Sequence, residues 1–303
     1  MKKIIAVAIA ALPMAAMADV QIYGQLEASV EAGNTFGYGD VFNTNTRVDD
    51  TGSKIGFKGT EDLGNGLKAI WQVEQRVSLA GSTKDANGKE LTSEGFNTRD
   101  TFIGLEGGFG KVRAGYVSDQ FNENMETMDI WEYRTGAGAA ARGLATMTRF
   151  DGRSQGIRYD SPNFGGFDFN ITHQLSDSAA EGRYDKPGKD DYGQSTIVGL
   201  NYENSGFFGK LGYGNYKHKA VDNDGGQEDG HVARIEGGYD ANNLFVGLAY
   251  QYAKDMPAYS AWNGGESVGT VKAFGKEYAV GADSAHEAAV SVAYTMGAIT
   301  PKV

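Results

Sequence analysis

A run of regularly spaced acidic residues is the first feature of this sequence that could act on ions or polar solutes. From Glu123 onward an acidic residue recurs at every third position, and apolar residues recur at the same interval, offset by two. On one or two helical turns this spacing separates an acidic stripe from an apolar stripe. We expect the apolar stripe to pack against a wall and the acids to face water, although a solvated charge run on a surface loop gives the same pattern. The acids are Asp119, Glu123, Glu126, Asp129 and Glu132, and the apolar residues are Met125, Met128 and Trp131.

A second charged set occupies segments in which apolar and polar residues alternate. Its lysines and arginines fall opposite the apolar positions, as expected for strands with one apolar and one polar face. If acids and bases face each other across an opening, they create a transverse field that orients polar solutes and disfavours apolar ones. Alternatively, some of these cations pair with neighbouring acids such as Glu27 or Glu74 and have no further role. The cations are Lys54, Lys58, Lys68, Arg76, Lys111, Arg113 and Arg158.

Sequence patterns for covalent, metal or cofactor chemistry are weak. The glycine-rich run 136–141 follows a charged segment instead of an apolar strand, which disfavours a dinucleotide site. Residues 222–226 lack the flanking helices and the distal glutamate of a calcium-binding loop. The four histidines show no ligand spacing, there is no cysteine, and no serine lies in a nucleophile elbow. We therefore expect no catalytic residue, no metal and no cofactor.

The composition favours a chain of many strands. Glycine accounts for 44 of the 303 residues, tyrosine for 16 and phenylalanine for 15, whereas proline accounts for only 5. The formal net charge is −11, from 28 basic and 39 acidic residues. Because there is no net positive charge to attract phosphates, we expect no nucleic-acid partner.

The first 18 residues differ from the rest of the chain. Two lysines and the apolar run 4–12 precede Ala16-Met17-Ala18, which fits the cleavage site of a secretory signal peptide. The apolar run is shorter than the roughly 20 residues that a membrane anchor needs. We therefore expect a cleaved signal peptide at residues 1–18 and one exported domain at 19–303. An exported chain without a spanning helix can lie in a membrane only as a barrel.

Apolar and polar residues alternate with a period of two in many segments of residues 19–303, and this pattern predicts about twelve strands. The connections also alternate in length, with short turns such as 61–66 and 240–243 between long polar loops such as 117–152. This describes an antiparallel up-and-down β-barrel with periplasmic turns and extracellular loops. A soluble β-sandwich also alternates, but its turns would not sort into two length classes. We therefore predict an all-β, transmembrane up-and-down barrel.

The last two residues, Lys302 and Val303, begin a thirteenth strand. Bacterial barrels have even strand numbers, so the sequence predicts that C-terminal strands are missing. An unclosed sheet leaves unpaired backbone groups that lipid cannot satisfy. We expect the 303-residue chain not to form stable channels unless those strands are supplied.

Four segments carry a specific combination of motifs: 19–24 (DVQIYG), 53–64 (SKIGFKGTEDLG), 102–111 (FIGLEGGFGK) and 158–164 (RYDSPNF). Together they resemble the trimeric general porins of Gram-negative bacteria, specifically the neisserial and related proteobacterial group. The resemblance implies a sixteen-stranded, water-filled barrel, a homotrimer in outer-membrane lipid, and passive diffusion of small hydrophilic solutes and ions. It also implies that the third long loop, 117–152, folds into the pore and constricts it. The family's terminal strand ends in an aromatic residue, whereas this chain stops at Val303.

A non-enzymatic diffusion channel is the function that these features favour. The seven cations outnumber the five acids of the third long loop, which predicts weak selectivity leaning to anions. One alternative is a barrel that acts mainly as an adhesin or receptor through its long loops, and another is an outer-membrane enzyme of the lipase type. Small adhesin barrels have about eight strands and a filled interior, whereas twelve or more strands enclose a lumen too wide for side chains to fill.

Overall fold

The computed structural model describes residues 19–33, 45–50, 52–77, 99–128, 130, 150, 152–175, 192–218, 229–254, 270–273, 276–279 and 284–303. Nearly all of these residues belong to β-strands or to the turns between them. The expected signal peptide lies outside the described residues, as do residues 129, 131–149 and 151 of the third long loop. Within the described ranges, no helix has the length and hydropathy needed to cross a membrane.

Within the described residues, twelve antiparallel strands form one sheet, and each strand pairs with the next sheet strand along the chain. This arrangement confirms the predicted all-β, up-and-down topology. The strands are β1 (Asp19–Gln25), β4 (Lys54–Gly64), β5 (Leu67–Arg76), β6 (Thr101–Gly107), β7 (Gly110–Ser118), β8 (Arg153–Asp160), β9 (Phe167–Gln174), β10 (Tyr192–Asn204), β11 (Phe207–His218), β12 (Gly230–Ala241), β13 (Leu244–Lys254) and β16 (Ser284–Tyr294).

Two short hairpins and one short helix complete the described elements. The hairpins are β2 (Ala28–Gly33) with β3 (Asn45–Asp50), and β14 (Thr270–Ala273) with β15 (Lys276–Ala279); the helix is α1 (Gln120–Glu123). Between β1 and β2, the Glu27 N–H donates to Ser53 Oγ at 2.9 Å, and the Ser53 hydroxyl donates to Glu27 O at 3.2 Å. This pair of bonds bridges the interruption, so β2 and β3 prolong the hairpin that β1 and β4 begin.

The two faces of the sheet reverse the usual distribution of apolar and polar residues. Ile22 and Ile103 on the outer face are 68% and 71% exposed, whereas Arg158 and Gln251 on the inner face are each 1% exposed. A lipid-facing wall around a polar interior requires this distribution, because lipid covers the apolar side. The alternation seen in the sequence therefore sorts the side chains as predicted.

Four of the described short turns contain two consecutive residues that both have positive φ. They are Asn65-Gly66 (53° and 76°), Gly165-Gly166 (69° and 101°), Ser205-Gly206 (52° and 84°) and Asn242-Asn243 (53° and 64°). Turns of this kind have the twist of the strands that they join, and asparagine and glycine adopt them at little cost. These turns lie at the sheet end opposite the long loops, as the two length classes of connection predicted.

The final residues of the chain pair with β16. The Val292 and Val303 backbones exchange two N–H···O bonds of 2.8 Å, and the Tyr294 N–H donates to Pro301 O at 3.1 Å. Residues 301–303 therefore continue the sheet beyond β16, as predicted for Lys302 and Val303.

Candidate pore constriction

The third long loop begins after β7 by turning onto the inner face of the sheet. α1 follows almost directly and lies against β7, β9 and β10. Farther along, three wall side chains donate hydrogen bonds to the loop, one each from β11, β16 and residues 301–303. The bonds join Lys210 Nζ to Thr127 Oγ1 (2.7 Å), Ser291 Oγ to Met128 O (3.0 Å) and Lys302 Nζ to Ile130 O (2.6 Å). The described part of the loop thus lies along the inner wall from β7 to β16.

The apolar side chains of this loop face the wall. Met125 and Met128 are fully buried and Phe121 is 2% exposed. Phe121 and Met125 pack in a cluster with Ile197 and other inner-face residues, while Met128 packs in a second cluster. The predicted packing of Met125 and Met128 against the wall is confirmed, whereas Trp131 lies outside the described residues.

A four-charge cluster joins the beginning of the loop to the wall. Arg113 on β7 and Arg158 on β8 occupy directly paired positions, so their like charges are neighbours. Two carboxylates offset this repulsion. Arg113 lies 2.9 Å from Glu123 and 2.8 Å from Asp160, and Arg158 lies 3.2 Å from Glu123 and 2.8 Å from Asp160.

Loop acids and wall cations are therefore in contact in this cluster. The expectation that acids and bases face each other across an opening is wrong for Glu123, Arg113 and Arg158. Arg158 also donates to Ser118 O at 3.0 Å and to Asn124 Oδ1 at 2.8 Å, which binds it to the loop backbone and side chains. Hydrogen bonds and ion pairs together leave Arg113 only 4% and Arg158 only 1% exposed.

Asp119 closes the neck of the loop and does not line a water-filled space. Its carboxylate accepts the Asn122 N–H at 2.9 Å, which caps α1, and the Gly152 N–H at 3.1 Å. The side chain is 1% exposed, so the expectation that Asp119 faces water is wrong. Burial raises the pKa of Asp119 to about 7, and this effect outweighs the Asn122 hydrogen bond and the Arg158 charge.

Asp100, which the sequence analysis missed, is a second clamp at the neck. It accepts the Ser118 N–H at 2.7 Å and the Ser118 hydroxyl at 2.8 Å, and Arg153 Nε lies 2.7 Å away. Burial alone would raise the pKa of Asp100, but the Arg153 charge and the Ser118 hydrogen bonds outweigh it and lower the pKa. No periodic pattern marks Asp100, because it immediately precedes β6 at the end of a long loop.

The other wall cations lie outside this cluster. Lys54 is 3.9 Å from Glu74, which also binds Arg99 at 2.5 Å and accepts the Tyr23 hydroxyl at 2.8 Å. Lys58 lies over the Tyr23 ring, 5.4 Å from its centroid. Pairing of Lys54 with Glu74 therefore matches the alternative in which a base pairs with a neighbouring acid.

Strand pairing places all seven predicted cations on the inner face, because directly opposite residues share a face. Lys68 opposes Glu106, Lys111 opposes Asp160, and Arg76 opposes Lys54. Of the remaining loop acids, Glu126 accepts the Asn122 side-chain amide at 3.3 Å, while Asp129 and Glu132 lie outside the described residues.

One buried ion pair on the inner face was also missed. Arg234 and Glu236 on β12 are 3% and 1% exposed, with Nη2 and Oε1 2.5 Å apart. Their spacing of two along a strand puts both on one face, and this was the available signal. The Arg234–Glu236 pair could therefore have been placed on the inner face by the same alternation that placed the other cations there.

Comparison with known proteins gives one consistent family. The family described as Gram-negative porin matches residues 6–303. The major outer membrane protein P.IB of Neisseria sicca is 42% identical over 83% of this chain and 72% of its own length. The protein of the same name from Neisseria gonorrhoeae is 35% identical over 100% of this chain and 81% of its own length.

Solved structures agree with the fold. The complex of Salmonella typhi OmpF with daunomycin matches with a TM-score of 0.61 and 17% identity, over 92% of this chain and 75% of that one. The anion-selective porin from Comamonas acidovorans matches with a TM-score of 0.57 and 20% identity, over 94% and 77%. At these identities the similarity establishes the architecture of the wall.

Proposed function

This chain belongs to the family of Gram-negative porins, and on that premise we propose which of its parts govern passage. It is an outer-membrane channel, without enzymatic activity, for the passive diffusion of small hydrophilic solutes and ions. The channel is therefore preferred over the adhesin and enzyme alternatives. The proposal is that the third long loop, 117–152, forms the constriction of this channel.

The observation that supports this proposal is the course of the loop along the inner wall. A segment inside a barrel reduces the cross-section open to water, and its charges act on every ion that passes. The neck is fixed by Asp100 and Asp119, and the far side by Ser291 and Lys302. A loop fixed at its neck and again at residues 128 and 130 is suited to hold the pore at one width.

The ion selectivity follows from the charge balance at this constriction. In the cluster, the two arginines and the two carboxylates sum to no net charge, which supports weak selectivity. The wall cations outside the cluster favour anions. These cations are Lys54, Lys58, Lys68, Arg76 and Lys111.

The test is the zero-current potential of the protein from outer membranes, measured in planar bilayers under a salt gradient. Glu123→Gln removes a carboxylate that neutralises two arginines, so we expect a shift toward anion preference. Arg158→Gln should shift the potential toward cation preference. Lys217→Gln is the matched control, because it removes the same charge from an exposed residue that pairs with Asp229 on the outer face. If all three variants have the same zero-current potential as the wild-type protein, the loop does not form the constriction.

The assembled form that we propose is a homotrimer in contact with outer-membrane lipid. This rests on the family and on the outer face, where large apolar side chains remain exposed along the whole sheet. We also propose that residues 1–18 are a signal peptide that directs the chain out of the cytoplasm.

A further inference from the structure

Glycines on the inner wall lie beneath the buried side chains of the third long loop. We propose that these glycines, here called the seat glycines, set how closely the loop approaches the wall and thereby set the width of the pore. This inference rests on the proposed constriction and names the wall residues that position it. The seat glycines are Gly199 on β10, Gly212 and Gly214 on β11, and Gly247 on β13.

Gly212 is the central seat. A Cβ atom at this position would lie 2.6 Å from Phe121 Cε1 and 2.7 Å from Met125 Sδ. Carbon atoms at rest are about 3.5–4.0 Å apart, so even alanine would require the loop to withdraw by about 1 Å. Gly214 lies two residues along the same face, where a Cβ would be 2.8 Å from Tyr216 Cε2 on the wall and 3.2 Å from Phe121 Cε2 on the loop.

The seats at the two ends combine a recess with a hydrogen bond. A Cβ on Gly247 would lie 2.5 Å from Met128 Sδ, and Ser291, which opposes Gly247 in the sheet, donates to Met128 O at 3.0 Å. At the other end the Gln120 amide occupies the space above Gly199. It donates to Asn201 Oδ1 at 2.8 Å and accepts from Asn170 Nδ2 at 2.6 Å.

The loop can yield to an added side chain in only one direction. Phe121, Met125 and Met128 are almost completely buried, and close-packed interiors absorb little extra volume. The wall behind each seat is a hydrogen-bonded strand of the sheet, so it resists displacement. The loop must therefore move toward the centre of the lumen, and this movement narrows the lumen.

Gly212→Val and Gly247→Val test this in the protein from outer membranes. We expect single-channel conductance in KCl to fall by roughly 1.5-fold and the largest polyethylene glycol that enters the pore to become smaller. Gly209→Val is the matched control on β11, because a Cβ there meets nothing within 4 Å and the residue alternates onto the outer face. Its conductance and polymer cut-off should equal those of the wild-type protein.

Two further variants distinguish a local steric effect on the loop from a general loss of folded structure. Met125→Ala removes one of the two side chains above Gly212, so adding it to Gly212→Val should restore part of the lost conductance. If valine at 212 disturbs folding, Gly212→Ala gives a smaller change of the same sign. Wild-type conductance and cut-off in a folded Gly212→Val protein would overturn the seat proposal while leaving the channel intact. A wild-type protein without conductance would instead overturn the function itself.

Discussion

At the scale of single residues, the buried Asp119 makes stability depend on pH. Its pKa of about 7 in the folded protein exceeds the value near 4 expected in an unfolded chain. Between these values the folded state holds a proton that the unfolded state has released, so the free energy of unfolding falls as pH rises from about 4 to about 7. We expect Asp119→Asn to lose this part of the pH dependence.

The measurement is the unfolding temperature in detergent micelles across a pH series, for both proteins. The side-chain amide of the Asp119→Asn variant does not titrate, so the stability of the wild type relative to the variant should decrease as pH rises through the window and become constant above it. Parallel profiles at all pH values would mean that Asp119 titrates normally. Glu61→Gln, which changes an acid whose side chain is not fully buried, serves as the control.

The same residues show what a sequence can and cannot reveal. Alternation was sufficient to place Arg113 and Arg158 on the inner face, since each strand position has only two sides. It could not show that Glu123 contacts both, because that depends on how the loop turns after β7. Asp119 was misplaced for a related reason: an acid that precedes a helix can cap it or face water, and spacing is the same in both cases.

At the scale of elements, the two-residue turns hold the sheet in register. Gly206 has φ of 84°, and a Cβ there would lie 2.6 Å from Ala241 Cβ. We expect Gly206→Ala to lower the free energy of unfolding by about 1–2 kcal/mol, because left-handed backbone is unfavourable for residues with a Cβ. Chemical denaturation of the detergent-solubilised protein measures this change.

Gly108→Ala is the matched control for that prediction. It also changes a turn glycine to alanine, but Gly108 does not have positive φ and its Cβ would meet nothing within 4 Å. A loss of stability equal to that of Gly206→Ala would mean that backbone conformation is not the cause.

Strands and turns were predictable because both follow from local rules of alternation and of turn-forming residues. The third long loop was only partly predictable. The spacing suggested one or two helical turns, and the described helix ends after four residues at Glu123. The path of the loop beyond Glu123 depends on the recesses at the seat glycines of β11 and β13. These strands lie about 80 to 120 residues farther along the chain. Local sequence contains no information about such distant partners.

At the scale of the whole molecule, trimer assembly is the main prediction. We expect the protein to purify from outer membranes as a trimer that dissociates when it is boiled in detergent. Chemical cross-linking before and after boiling measures this change, with the boiled sample as the internal reference. Recovery of a soluble periplasmic monomer with a normal β spectrum would contradict both the assembly and its membrane location.

The alternation of the strands also has a consequence for secretion. In β9, for example, the apolar residues Phe167, Phe169 and Ile171 on the lipid side alternate with polar residues on the lumenal side. No such segment has the unbroken apolar stretch of about 20 residues by which a translocating chain is retained in the cytoplasmic membrane. The residues that will face lipid are thus distributed so thinly that the chain can pass through one membrane and become apolar on its surface only after it folds in the next.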